Sequence, residues 1–282
     1  MAVIAVVNRK GGSGKSTLAT HLAAFYAGRG DAVMLGDVDR QQSTHGWLRQ
    51  RAAQALPHSA PIVGWAVDPK RVLRPPAGVR HVVLDTPGGL RGFDLARVAA
   101  FADVIVMPVC HSVFDRESAA DCHAELKALP RVAEGRCKVV AVGMRVDART
   151  RGAEALAAWA AGIGLPFAGV LREAQAYVRT VERGLTVFDL PKAQGQAHVA
   201  EWQPIVDWIE PSLNAVHRPA LRANPTVLRP TPVAASTPLA AASAKPGFAA
   251  RLAAAFRWPR TPAVPPRALT GGVGSSILDG AS

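Results

Sequence analysis

Short, nearly unbroken apolar runs alternate with longer stretches of helical periodicity through the first 210 residues of the chain. Val3 to Val7, Ala32 to Leu35, His81 to Leu84, Val104 to Pro108 and Lys138 to Val142 are nearly continuous in apolar residues rather than alternating. That is the pattern of strands buried on both faces of a parallel sheet. Between them Leu18 to Gly28, Asp94 to Phe101, Asp115 to Leu129 and Gly152 to Ala161 read as helices. Strands and helices in turn require βαβ crossovers, so the pattern predicts an α/β fold, a doubly wound and mostly parallel sheet with helices on both faces. The longest apolar stretch, Trp159 to Leu171, is broken by Gly162, Gly164 and Pro166. It falls short of the roughly 18 to 20 residues that cross a bilayer, which assigns it to the core. No internal repeat is visible.

The periodic pattern stops near Glu210, and composition changes there. Residues 211–282 hold 11 of the 22 prolines in stretches rich in Thr-Pro, Arg-Pro and Ala. Such a segment buries too little surface to offset its ordering entropy, so the expected organisation is a domain over residues 1–210 and a disordered tail over 211–282. Within the tail, Lys245 to Arg260 can form a short helix with Phe248, Leu252 and Phe256 at i, i+4 and i+8, suited to a membrane surface or a partner protein. The formal charge of +12 favours polyanions; the tail carries +7 of it and residues 1–210 carry +5. Cys110, Cys122 and Cys137 are an odd number without close pairing, which fits a reducing compartment and argues against disulfides or a zinc site. The N-terminus has no basic region followed by an apolar run and a small-residue cleavage site, so the expected location is the cytoplasm.

The chemistry concentrates in three segments. Arg9-Lys-Gly-Gly-Ser-Gly-Lys-Ser-Thr17 lies between the first predicted strand and the first predicted helix. A triphosphate needs many donors in a small space, which a glycine-rich turn feeding a helix N-terminus supplies through backbone N–H groups and the helix dipole. Lys10, Gly11, Gly12, Ser13, Gly14, Lys15, Ser16 and Thr17 are therefore the expected ATP-binding loop, with Lys15 on the β and γ phosphates and the Ser16 hydroxyl on Mg²⁺. Arg9 stands where the usual phosphate loop has its first Gly, and Lys10 adds a second lysine. The run Met34-Leu-Gly-Asp-Val-Asp-Arg-Gln-Gln-Ser43 ends the second strand, where a doubly wound fold opens its ligand crevice. Two carboxylates one residue apart in an extended chain point oppositely, so one of Asp37 and Asp39 can face Mg²⁺ while the other orients water. Val82-Val-Leu-Asp-Thr-Pro-Gly-Gly89 is an apolar strand ending in Asp85, the pattern of a carboxylate that holds Mg²⁺ through water. Pro87 and Gly88 make a turn able to respond to a γ-phosphate.

Lys-Gly-Gly-x-Gly-Lys-Ser/Thr resembles the signature of the ParA/MinD family of deviant Walker-A ATPases, which position plasmids, chromosomes, division proteins and other large cargo. The resemblance covers residues 1–210. It implies ATP-dependent homodimerisation, with Lys10 reaching across a nucleotide sandwich to the partner's phosphates; on the residues alone, Lys10 can equally act in cis. The Asp37 to Gln41 run is similar to the family's Asp-x-Asp-Pro-Gln segment, which implies a hydrolytic role for Asp39 and a metal-side or switch role for Asp37. Arg40 replaces the family's proline. Lys10, Lys15 and Asp39 are thus the implied catalytic set, and Ser16, Asp37 and Asp85 the metal set. Met144 to Arg151 resembles the loop around the adenine, giving Arg145 and Asp147 as base contacts, although the family more often has Asn at or beside Met144. Leu171 to Lys192 resembles the closing segment of partition ATPases, with Arg172, Arg179, Arg183 and Lys192 as candidate contacts to DNA; a solvated basic helix face is the alternative.

Three functions follow from these residues. A partition-type ATPase would bind ATP and Mg²⁺, dimerise, adhere to nucleoid DNA through phosphate contacts, and hydrolyse slowly until a ParB-like or other protein partner stimulates it. A MinD-like ATPase would use the same cycle to reach a membrane through the tail's apolar face. A reductase or amide-forming enzyme of related fold would need cluster-ligating cysteines after Gly88-Gly89, and none follows. The first reading is the expectation carried forward.

Overall fold

β1 (Ala2–Val6) sits in the middle of a parallel sheet whose order is β3-β2-β4-β1-β5-β6-β7. The computed structural model of the protein describes residues 1–38, 43–56, 58–66, 78–147 and 149–217. The other strands are β2 (Val33–Asp37), β3 (Ile62–Ala66), β4 (His81–Asp85), β5 (Val104–Val109), β6 (Lys138–Val146) and β7 (Phe167–Arg172). The helices are α1 (Lys15–Gly28), α2 (Ser43–Ala52), α3 (Gly92–Phe101), α4 (Val113–Lys127), the single turn α5 (Pro130–Ala133), α6 (Gly152–Gly162), α7 (Gln175–Glu182) and α8 (Lys192–His217). The doubly wound parallel sheet is as the apolar pattern predicts.

Alternate residues of each strand feed two separate cores, which is why the strands are apolar throughout. Ile4 and Val6 join Leu22 of α1, Trp47 of α2, Tyr177 of α7 and Trp202 of α8 on one face. Val3 and Ala5 join Leu95 of α3, Leu126 of α4 and Leu156 of α6 on the other. Two strands and four helices, α2, α5, α7 and α8, escape the hydrophobic pattern. β3 and β7 are the two sheet edges; Val63 is 48% exposed, so neither strand needs an unbroken apolar run. The Trp159 to Leu171 stretch divides into the end of α6, a turn and β7. α2 is short and rich in polar residues. α8 runs through Pro204 and Pro211, the residues that argue against a helix in sequence. Its face of Trp202, Ile205, Ile209 and Leu213 is buried, and that tertiary contact outweighs the local cost. The helix ends at His217, seven residues beyond Glu210. Asp39, Arg40 and the apolar face Phe248, Leu252 and Phe256 lie outside the described residues. Among the described residues, no helix is long and apolar enough to cross a membrane.

An aromatic cluster joins α1 to the C-terminal elements. The His21 ring is stacked on Trp202, with centroids 5.4 Å apart and planes at 4°, and tilts against Tyr177 at 5.2 Å. The amide of Val187 donates to Nε2 at 3.3 Å, so Nδ1 carries the proton and donates to the Thr17 carbonyl at 2.8 Å. This pairing requires a neutral ring, and burial pushes its pKa down to about 4. The unfolded chain instead takes up that proton near pH 6.5. The contribution of His21 to stability is therefore complete above that pH and is lost as pH falls toward 4, by up to about 3 kcal/mol. Urea unfolding of the wild type and His21→Gln at about pH 7 and about pH 4.5 tests this. The variant is expected to lose markedly less stability between the two conditions; equal losses would reject the assignment.

Candidate functional site

The order of the sheet reverses around β1, because β4 lies on one side of it and β5 on the other. In an open α/β sheet, the crevice beyond the carboxyl ends of such strands is where ligands bind. β1 delivers residues 7–14 into that crevice and α1 carries them out again. The turn is pinned from below by the buried Asn8, whose side-chain amide donates to Pro108 O at 2.5 Å and whose Oδ1 accepts the Lys10 amide at 3.1 Å. Gly14 is the N-cap of α1 with φ +93, a left-handed geometry that costs any other residue strain. A Cβ there would also collide with the Met144 side chain at 2.7 Å.

The loop turns its backbone donors toward the place where an anion would lie. Among the described residues no side chain caps α1, and its first turn has no acidic residue. Its leading N–H groups and the positive end of its dipole therefore face the crevice. A Cβ at Gly11 or Gly12 would meet nothing within 4 Å. Ser13 Oγ is buried without a hydrogen-bond partner among the described residues. The Lys15 ammonium folds back over the loop and donates to Lys10 O at 3.0 Å.

Carboxylates stand beside the loop. Asp37 and Asp85 are register partners at the ends of β2 and β4, and both are buried. Asp37 accepts the amide and hydroxyl of Thr44 at 3.1 and 2.6 Å. Two carboxylates, with the Ser16 hydroxyl in the cleft wall, suit Mg²⁺, which takes oxygen ligands and commonly completes its shell with water and substrate phosphates. Among the described residues, no cluster of three or more His, Cys, Asp or Glu would hold a metal alone. The donor set thus fits a cation that arrives with a phosphorylated ligand. The segment after β4 closes the crevice: Thr86 donates to Val6 O at 2.7 Å, and Gly89 N donates to Arg9 O at 2.6 Å.

A cleft of about 820 Å³ runs from this loop toward the ends of β6 and β7. It contains Gly11, Gly12, Gly14, Lys15, Ser16 and Thr17 of the expected loop, together with Arg145. Met144 to Val146 belong to β6 and not to a loop beyond it. A bulge between Met144 and Val146 leaves Arg145 at φ +53, and its guanidinium donates to Gly12 O. Asp147 sits apart, lining a neighbouring cleft with Arg149, whose hydrogen bonds hold its carboxyl down at about 2. The far wall, Tyr177, Val178, Val181 and Glu182 of α7, is invisible to motif reading because it is built from a different part of the chain.

Lys10 points away from Lys15's position on the loop and forms an ion pair with Asp115 of α4 at 3.0 Å. Burial alone would raise the Asp115 carboxyl, but the Ser112 hydroxyl and Lys10 outweigh it and hold it below the ordinary range. Asp115 was not among the expected site residues; the Ser112-x-x-Asp115 helix start is its sequence signal. Arg9, in the place of the missing glycine, is paired with Glu125, which also accepts the Gly92 amide at 2.5 Å. Of the basic residues proposed for DNA, Arg179, Arg183 and Lys192 are exposed. Arg179 and Arg183 border a small cavity of about 310 Å³ beside the start of α8. Arg172 lies elsewhere, in the cleft wall, paired with Glu201.

The family model described as the CobQ/CobB/MinD/ParA nucleotide binding domain matches residues 4–187. The protein named maintenance of carboxysome distribution protein A, from Gloeobacter kilaueensis, is 39% identical over 108 residues. That match covers 38% of this chain and 48% of the relative, so the chain spans about half the length of the curated protein it matches. Among solved structures, Cyanothece McdA in complex with ATP superposes with TM-score 0.56 at 13% identity, over 73% of this chain and 96% of that one. MinD, the septum site-determining protein of Pyrococcus horikoshii, complexed with Mg-ADP, gives TM-score 0.53 at 14% identity over the same 73% and 96%. At these identities the superpositions establish the fold.

Lys15→Met keeps the length of the side chain and removes its charge. Loss of a hydrogen bond to a charged group costs about 1.5–3 kcal/mol, so nucleotide affinity measured by calorimetry is expected to drop roughly 10- to 150-fold. Unchanged affinity would remove Lys15 from the site.

Proposed function

The chain belongs to the CobQ/CobB/MinD/ParA family of nucleotide-binding domains, and from that membership we propose that it is an ATP-dependent positioning ATPase of the ParA type. It binds ATP with Mg²⁺, dimerises around the nucleotide, adheres to DNA without sequence preference, and moves or distributes a large cargo. The observation that carries the reading is the uncapped N-terminus of α1 beside Lys15, with the Asp37 and Asp85 carboxylates in register at the same edge. The relative named for carboxysome distribution supports cargo positioning as the task.

In this reading Lys15 and the amides of the loop hold the phosphates, while Ser16, Asp37 and Asp85 hold Mg²⁺. Bound Mg²⁺ would neutralise charge on the phosphates. Arg145 and the α7 wall close the far end of the cleft around the rest of the nucleotide. Asp39 positions the attacking water, and catalysis is a matter of placement and charge stabilisation, slow until a protein partner acts. Lys10 leaves Asp115 to reach across the dimer. Lys10→Ala is then expected to bind ATP normally yet stay monomeric by light scattering, and a variant that dimerises as the wild type does would refute the cross-dimer role.

Arg179, Arg183 and Lys192 supply the DNA contacts. Three cations from each of two protomers make about six phosphate contacts, for which affinity falls about a thousandfold between about 50 and 200 mM salt. The deciding experiment is DNA binding by the full chain with ATP, with ADP and without nucleotide across such a salt series. Binding that needs ATP and collapses with salt is expected. No binding in any state would exclude the DNA arm of the proposal and redirect the search to a membrane or protein surface.

A further inference from the structure

α2 and the turn that ends α7 are joined by a ladder of hydrogen bonds with no counterpart in the chemistry described so far. Trp47 Nε1 donates to Leu185 O at 3.2 Å, Arg51 Nη1 to Gly184 O at 3.3 Å, and Gln54 Nε2 to Arg183 O at 3.0 Å. Trp47 and Arg51 lie at i and i+4 on one face of α2, Gln54 lies in the turn that follows the helix, and the acceptors are three consecutive carbonyls. Those carbonyls follow directly on the end of α7, where helix geometry leaves acceptors unmet. The amides of Gly184 and Leu185 close the turn onto Val181 O and Thr180 O, with Gly184 at φ +72. A Cβ at Gly184 would overlap the backbone of Gln50 and Arg51, so the two segments touch main chain to main chain. Arg51 completes the joint. It is buried, lies over the Trp47 ring at 5.1 Å, and grips Asp189 with both terminal nitrogens at 2.8 and 3.1 Å.

Each end of this assembly is tied to a part of the site. At one end, Asp37 holds Thr44 in the first turn of α2, and Asp37 is the register partner of Asp85. At the other, α7 presents Val178, Val181 and Glu182 to the cleft, while Arg179 and Arg183 are exposed. A packed joint of this kind moves as a unit and does not deform gradually.

We infer that α2 is a rigid link between the carboxylate end of the nucleotide site and the basic end of α7, with Arg51 as its positioning residue. The inference rests on the ATP-dependent reading above. Nucleotide that draws on Asp37 shifts the start of α2, and the ladder carries that shift to residues 183–189 and so to Arg179 and Arg183. The link gives ATP a route to the DNA-facing surface that does not pass through the dimer contact.

Hydrogen exchange of the full chain, without nucleotide and with Mg²⁺ plus a non-hydrolysable ATP analogue, tests the link in wild type and Arg51→Met. In the wild type, protection should change together in 43–54 and 183–189; in the variant the change in 43–54 should remain and that in 183–189 should vanish. Alongside, the ratio of DNA affinities with ATP and with ADP should fall about tenfold in Arg51→Met, within the range of typical coupling between sites, while nucleotide affinity stays within about twofold. Arg51→Met leaves Asp189 buried without its counter-ion, so Arg51→Met/Asp189→Asn serves as the second variant should the first not fold; Thr186 can still donate to the asparagine oxygen. A change in 183–189 that persists in either folded variant, or a wild type in which 43–54 responds and 183–189 does not, overturns the link. Failure of the wild type to bind nucleotide at all would instead bring down the reading beneath it, and the link with it.

Discussion

A helix N-terminus left without a cap is the constraint around which this protein is arranged. The first N–H groups of α1 have no acceptor in the helix, and no side chain of the loop supplies one. Such donors in a crevice favour an anion, and the surroundings are organised to keep them presented. Asn8 anchors the loop from β5, Thr86 and Gly89 brace it from β4, and Arg145 reaches over from the bulge in β6. Four strands thus converge on one turn, which the parallel order around β1 makes possible.

Charge around the loop is balanced within the chain. Lys15 rests on the loop's own carbonyl, Lys10 on Asp115 and Arg9 on Glu125, so three adjacent cations are each directed to a different acceptor. Both carboxylate partners belong to α4. That helix therefore holds the two basic residues preceding the glycines, while of these three cations only Lys15 lines the cleft. The arrangement gives Arg9 a structural reason to stand where a glycine is usual: its carbonyl accepts from Gly89, and Glu125 links its side chain to the start of α3.

The opposite face of the sheet is organised by aromatic packing. His21 connects the helix that starts at the phosphate loop to Trp202 of α8, Tyr177 of α7 and the amide of Val187. α2 reaches the same stretch of chain from the other side through Arg51 and Asp189. Burial acts to raise the Asp189 carboxyl, and the hydrogen bonds from Arg51 and Thr186 outweigh it, leaving the carboxyl ionised below its ordinary range. Residues 183–189 are consequently held by both α1 and α2.

The phosphate loop, the two strand-end carboxylates and the five inner strands follow from sequence alone, because each is a local matter: a turn, a helix start, a run of apolar residues that only a covered sheet accepts. The edge strands β3 and β7 are half-exposed, and α8 forms through Pro204 and Pro211, so their local signals point elsewhere and only packing decides them. The same holds for the partners of the basic residues. Asp115 for Lys10, Glu125 for Arg9 and Glu201 for Arg172 stand between 29 and 116 residues away in sequence, and no local pattern pairs them. The bulge that turns Arg145 onto Gly12 bridges 133 residues, and the ladder from α2 to the end of α7 spans 129 to 138. Residue type and spacing determined which groups this protein gathers at the end of β1; the sheet order, which sets the neighbours of each strand end, decided what those groups touch.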